Sequence, residues 1–168
     1  MPDTQVGPLV LRPVTDGDRA FLVELYGSTR DEELSQVVWA EGQRDAFVLM
    51  QFEVQDTQYR ANNPDATFDV IEVDGNPAGR LYVDRRADDI RIVDIALLPH
   101  FRGAGVGGHL IATLTDEAAA TGRSVSIHVE VHNRAVALYR RLGFVTVGEL
   151  GLYRRMEWTP EIQANAAS

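Results

Sequence analysis

The alternation of apolar and polar positions divides the chain into short elements with little sequence between them. Leu9 to Pro13 reads as a strand. Thr15 and Asp18 then supply capping side chains for a helix with Phe21, Leu22, Leu25 and Tyr26 at i, i+1, i+4 and i+5. The acidic stretch Asp31 to Glu33, followed by Trp39, separates it from a second helix predicted from about Gln43 to Arg60. That helix carries Phe47, Met50, Val54 and Tyr59 and is closed by Asn63-Pro64. Phe68 to Val73 and Ala78 to Val83 flank Asp74-Gly75-Asn76-Pro77, which predicts a β-hairpin.

After the polar turn Arg85 to Asp89, a strand is predicted over Ile90 to Leu98. Ile90 and Ile92 share one face of it, whereas Val93, Ile95 and Leu97 share the other, a phase change that suggests a β-bulge. A glycine-rich loop follows, then a helix with Val106, Leu110, Ile111, Leu114 and Ala118 on one face, stopped by Thr121-Gly122. Val125, Ile127 and Val129 alternate as a strand, and a short helix is predicted over Asn133 to Leu142, stopped by Gly143. Phe144 to Val147 and Leu152 to Trp158 close the pattern as two strands. The order is β-α-α-β-β-β-α-β-α-β-β, an antiparallel meander leading into one strand–helix–strand crossover. It predicts a single α/β domain over residues 1–160, with 161–168 as a frayed tail.

Composition narrows the classes. At 168 residues the chain suits one well-packed domain, and 45% apolar with 24% charged residues is ordinary for a globular protein. With no cysteine, disulfides, thiolate zinc sites and a cysteine nucleophile are excluded. MPDTQVGPLV has no basic region followed by a long apolar core, so no signal peptide is expected, and no apolar run approaches the roughly 20 residues that span a bilayer. A cytoplasmic location without membrane association is the expectation. A net charge of −9 argues against a nucleic-acid partner and suits a cationic acceptor such as an amine, although surplus acid also simply keeps a protein soluble.

The loop His100-Phe-Arg-Gly-Ala-Gly-Val-Gly-Gly108 places four glycines in nine residues, between a strand and a helix. Backbone N–H groups converging at a helix start, with the peptide dipoles behind them, favour an anion, and missing β-carbons let phosphate oxygens approach. Arg102, with Arg134 and Arg141, adds local positive charge. A nucleoside triphosphate loop would end in Gly-Lys-Ser/Thr, whereas this one continues Gly-His-Leu. A dinucleotide is harder to dismiss, because Gly103-x-Gly105-x-x-Gly108 matches GxGxxG and Glu130 lies where a ribose-binding acid belongs. Against it, only 38 residues follow Glu130, too few for a second mononucleotide-binding half.

Arg102-x-x-Gly105-x-Gly107 resembles the Arg/Gln-x-x-Gly-x-Gly/Ala loop of the GNAT superfamily, the acyl-CoA-dependent N-acetyltransferases. Ile95-Ala-Leu-Leu-Pro-His-Phe-Arg-Gly resembles the strand that enters that loop. Downstream, Ile127-His-Val-Glu-Val-His-Asn-Arg-Ala-Val-Ala-Leu-Tyr-Arg-Arg-Leu-Gly-Phe144 resembles the family's strand followed by N-x-x-x-x-x-Y-x-x-x-G-F. The resemblance covers roughly Leu9 to Trp158 and implies a mixed, mostly antiparallel sheet with helices on both faces and a splay between its two central strands. It implies acetyl-CoA as cosubstrate, held by Leu97, Leu98, Arg102, Gly103, Ala104, Gly105, Val106, Gly107, Asn133 and Tyr139. The acceptor would be a primary amine of a small molecule or a peptide, acetylated directly in a ternary complex. A homodimer is compatible with this reading. An NAD(P)-dependent oxidoreductase and a non-catalytic acyl-CoA sensor remain the alternatives.

Acetyl transfer to an amine requires a proton acceptor for the amine, a donor for the oxyanion and a proton for the departing thiolate. Tyr139 occupies the position of the family's thiolate-protonating tyrosine. Its spacing with Ala135, Leu138 and Leu142 also fits an ordinary core residue. Asn133 suits a helix cap, and the resemblance gives its side chain a cofactor contact. His128 is a candidate base, on a strand face with Ser124, Ser126 and Glu130; Asp94 and Glu130 are alternatives. The oxyanion donor implied by the resemblance is a backbone N–H near Leu97. His128-x-Glu130-x-His132 has a metal-like spacing, but His132 falls where the strand should end, and no metal is expected. Glu32, Glu33, Trp39 and Tyr153 could line an acceptor side, while core packing or plain solvent exposure explains each equally well.

Overall fold

The computed structural model describes residues 8–160; the expectations for the first seven residues and for the 161–168 tail lie outside them. Strands β1 (Leu9–Pro13), β2 (Thr67–Val73), β3 (Asn76–Arg85), β4 (Asp89–Leu97), β5 (Ser124–Glu130), β6 (Val145–Leu150) and β7 (Tyr153–Trp158) form one sheet in the order β1-β2-β3-β4-β5-β7-β6. β4 and β5 pair parallel, whereas β1–β2, β5–β7 and β6–β7 pair antiparallel. Helices α1 (Arg19–Thr29), α2 (Asp31–Leu34), α3 (Gln43–Asn62), α4 (Val106–Thr121) and α5 (Ala135–Arg141) interrupt the strands in the expected order. α2 is an addition to that order. The mixed, mostly antiparallel α/β architecture is the one the sequence predicts.

The chain gathers into two compact units, one of residues up to Leu81 with Ile95–Ala104, the other of Tyr82–Asp94 with Gly105 onward. In the first, Leu22, Leu25, Tyr26, Leu34, Val48, Phe52 and Leu98 form a buried cluster with Trp39, Phe47 and Phe101 packed against it. Its helical start is fixed by a capping box, in which Asp18 accepts from the Thr15 N–H at 2.7 Å. Arg12 donates to the same carboxylate at 2.8 and 2.9 Å, tying β1 to that turn. The hairpin between β2 and β3 is tighter than expected. Only Asp74 and Gly75 turn, both left-handed at φ 53° and 79°, and Asn76 and Pro77 already belong to β3.

In the second unit α4 packs on β5. Val106, Leu110, Ile111, Leu114 and Ala118 are buried on the helix, as are Val125, Ile127 and Val129 on the strand. Gly122, left-handed at φ 70°, ends α4 where expected. The parallel ladder joins Asp89–Ile92 to Ser124–Ile127 and stops there, so Val93 and Asp94 of β4 and His128 to Glu130 of β5 lie beyond it. The phase change read at 92–93 thus coincides with the end of this ladder. A register shift is present in β6, between Thr146 and Gly148.

Candidate active site

The glycine loop runs between β4 and α4 and passes from the first unit to the second at Ala104–Gly105. Gly103 and Gly105 are left-handed at φ 80° and 86°, a conformation that L side chains disfavour. Gly107 has another reason to be glycine. It lies in the first turn of α4, and a β-carbon built on it would meet no atom within 4 Å. The same open space surrounds Gly103 and Gly105. The first intrahelical bond is the His109 N–H to the Gly105 carbonyl at 2.9 Å. The N–H groups of Val106, Gly107 and Gly108 therefore precede the helix's own ladder, on a bare first turn suited to an anion. Such a cradle fits the diphosphate of a CoA thioester.

On the first unit's side, Leu97, Leu98, Arg102, Gly103 and Ala104 form the end of β4 and the start of the loop. Arg102 Nε donates to the Leu97 carbonyl at 2.9 Å, so the guanidinium folds back along the strand end and presents its remaining N–H groups from an exposed position. The Leu98 N–H donates to the Ala78 carbonyl at 2.8 Å and is committed to the sheet. Trp39 donates through Nε1 to the Leu34 carbonyl and packs on Phe47, which makes it structural, and Glu33 pairs with Arg30 at 2.8 Å.

In the second unit a β-carbon on Gly108 would lie 3.7 Å from Leu138, so α4 begins beside α5. Asn133 Oδ1 accepts from the Ala135 N–H at 2.8 Å, and α5 starts two residues later than predicted because Asn133 caps it from outside. Tyr139 is buried, with its ring 5.7 Å from that of Phe144. Burial, and then the negative charge of Asp94, push its phenol well above the ordinary range, so it is a protonated donor at neutral pH. Asp94 thus lies within electrostatic reach of Tyr139.

His128 lies on the face of β5 opposite Ile127; since Ile92 and Ile127 are register partners and side chains alternate, Arg91 of β4 shares that face. There Arg91 donates through Nε to Ser126 Oγ at 2.7 Å and through Nη1 to His128 Nδ1 at 3.2 Å. A guanidinium only donates, so Nδ1 accepts and the neutral imidazole carries its proton on Nε2. Burial, and then the charges of Arg91 and Arg155, hold the imidazole below its ordinary pKa. Ser126, expected on the face of His128, is fully buried there and donates to Asp89 at 2.5 Å. Sequence reasoning missed Asp89, Arg91 and Arg155. Alternation opposite Ile90, Ile92 and Met156 would have put all three on this face. Among the described residues no three His, Asp or Glu side chains gather to hold a metal, and no helix is long and apolar enough to cross a membrane.

Known proteins share this fold. Over 83 residues the chain is 35% identical to a protein of Bacillus subtilis (strain 168) provisionally named a [ribosomal protein bS18]-alanine N-acetyltransferase, a match covering 48% of this chain and 55% of that one. The chain thus spans about half the length of that relative. The fold is shared with the PaiA N-acetyltransferase from Thermoplasma acidophilum, solved in complex with coenzyme A, at a TM-score of 0.67, 15% identity and coverage of 90% of this chain and 99% of that one. An acetyltransferase from Thermus thermophilus superposes at 0.67 with 19% identity, covering 92% and 98%. The NAD(P) alternative is overturned, since β1–β2, β5–β7 and β6–β7 pair antiparallel and a dinucleotide fold needs a run of parallel strands. With residues 29–144 matching the family model, and with the strand, glycine loop and helix in the order that family's motifs imply, the chain belongs to the acetyltransferase (GNAT) family.

Proposed function

We propose that this protein transfers an acetyl group from acetyl-CoA to a primary amine, both bound at once. The observation that carries the reading is the bare first turn of α4, left open by Gly103, Gly105 and Gly107 and set beside the helix of Tyr139. Acetyl-CoA supplies an activated acyl group; the amine nitrogen takes its carbonyl carbon and the C–S bond breaks. The amides of Val106, Gly107 and Gly108 grip the diphosphate, and Asn133 reaches the cofactor with the half of its amide that the cap leaves over. Tyr139, buried and protonated, gives its proton to the departing sulfur. The amine's proton goes to Asp94, because the Nδ1 lone pair of His128 is occupied by Arg91. The Bacillus relative's name, a [ribosomal protein bS18]-alanine N-acetyltransferase, supports an alanine amine on a protein or peptide. A cytoplasmic site of action, and activity as a monomer or a homodimer, fit this chemistry.

Two measurements test it. Acetyl-CoA at 100 times its dissociation constant should stabilise the protein against heat by about 2.7 kcal/mol, while NADH and NADPH should not. An amine panel should release free CoA, detected with a thiol reagent. A thermal shift with the nicotinamide cofactors instead would overturn the reading, and binding without CoA release for any amine would leave a sensor.

A further inference from the structure

The face of the sheet that carries His128 holds a group of donors that the transfer chemistry above does not use. Arg91 and Ser126 are register partners on β4 and β5, and His128 and Arg155 are register partners on β5 and β7. Three nitrogen side chains therefore sit side by side on one surface. Arg91 is half-buried, and among the described residues neither bond it makes goes to a carboxylate: one reaches Ser126, the other His128. Two of the nearby acids are engaged by other residues. Asp89 accepts from Ser124 at 2.7 Å and from Ser126 at 2.5 Å, and Asp84 pairs with Arg86 at 3.0 Å. Glu157 reaches Arg155 only at 3.6 Å, and Glu130 stands at the exposed end of β5.

Apart from Glu157 beside Arg155 and Glu130 at the strand end, the group offers donors to solvent. With Nδ1 occupied by Arg91, His128 offers Nε2–H from an exposed position, and both guanidinium groups donate and never accept. The charges that act on His128 are both positive. A cationic acceptor such as a polyamine would be repelled here, whereas a planar two-oxygen anion matches the fork of a guanidinium. Buried Ser126, itself bonded to the part-buried Asp89, holds that fork in place, so little side-chain freedom is lost on binding.

We propose that Arg91, His128 and Arg155 form a carboxylate-binding subsite, so that the acceptor is an amino acid whose carboxylate rests on this face while its amine is acetylated. The proposal rests on the acetyl-transfer reading and narrows its acceptor. It also gives His128 a role in binding in place of proton abstraction.

The test compares matched amines with and without the acid: L-phenylalanine, L-phenylalaninamide and 2-phenylethylamine, L-leucine and 3-methylbutylamine, and an alanine-led peptide. The expected result is a kcat/KM that favours each amino acid over its carboxylate-free partner by about tenfold or more. Arg155→Gln, at a half-exposed position, and Arg91→Gln should each cut that preference by about tenfold, mainly through KM, and Arg155→Lys should restore part of it. A ¹⁵N spectrum of the imidazoles provides a readout independent of turnover. His128 should show the Nε2–H tautomer, and with CoA present L-phenylalanine should raise its pKa while 2-phenylethylamine does not. Equal turnover of acids, amides and peptide, with preferences untouched by either arginine variant, would overturn the subsite and leave acetyl transfer standing. A shifted His128 resonance without CoA release from any amine would do the reverse. If Arg91→Gln fails to fold, Arg155→Gln and the imidazole titration decide alone.

Discussion

At the scale of single residues, the hydroxyl of Tyr139 bears the sharpest expectation. Replacing Tyr139 with Phe removes one oxygen from a buried ring that packs against Phe144, so the melting temperature should hardly move. If the phenol protonates the leaving sulfur, kcat at saturating acetyl-CoA should fall by about a hundredfold or more. An unchanged kcat would remove Tyr139 from the chemistry while leaving the fold and the loop untouched. Its inward position was legible from the spacing of Ala135, Leu138, Tyr139 and Leu142, although Val136 is buried in that helix too. The state of His128 was not legible. Alternation reports which face a strand residue takes, but not what a neighbouring strand lays over it. Here Arg91 and Asp89, set by the parallel register of β4 on β5, bury Ser126 and occupy one imidazole nitrogen.

At the scale of elements, two glycines separate stability from binding. A β-carbon on Gly79 in β3 would strike the Ala96 carbonyl oxygen and lie 3.0 Å from Leu97 Cα, both backbone atoms of β4 that cannot yield cheaply. Gly79→Ala should therefore destabilise by about 1–3 kcal/mol and weaken acetyl-CoA binding, because it moves the strand end that feeds the loop. Gly107→Ala should behave oppositely toward heat. The added methyl meets no atom of the protein, and alanine favours a helix by up to about 1 kcal/mol over glycine, so the melting temperature should hold or rise. Its acetyl-CoA dissociation constant should nonetheless increase, since the methyl stands where phosphate oxygens must approach. Calorimetry and thermal melts on both variants check the pair, and unchanged acetyl-CoA affinity in Gly107→Ala would remove this turn from the site. Elements with strong punctuation were readable: the capped first helix, the Asp-Gly turn and Gly122. α2 was not, because four residues are too few to show a period, and its acidic first turn reads equally well as a solvated loop.

At the scale of the whole molecule, the acid side of the stability curve sets two effects against each other. A net charge of −9 and a pI near 4.8 mean that protonating surface acids between pH 7 and 5 relieves repulsion. Below about pH 4 the anchored carboxylates dominate. Asp18 is held well below its ordinary pKa by hydrogen bonds from Arg12, against the cost of burial and with help from Thr15; Glu117 is lowered likewise by Arg85. A carboxylate depressed in the fold contributes stability that is complete above its unfolded value, about 3.9, and is lost as the pH falls. With Asp18 still ionised in the folded protein, about 1 kcal/mol of its contribution should be gone by pH 3. Asp18→Asn keeps the shape but loses the charge-assisted bonds and part of the capping box, so at pH 7 it should cost about 1–3 kcal/mol. Urea unfolding of both proteins at pH 7 and pH 3 should show the gap between them narrowing by about 1 kcal/mol at the lower pH. A gap that stayed constant would mean that the Arg12–Asp18 pair contributes through packing rather than through charge.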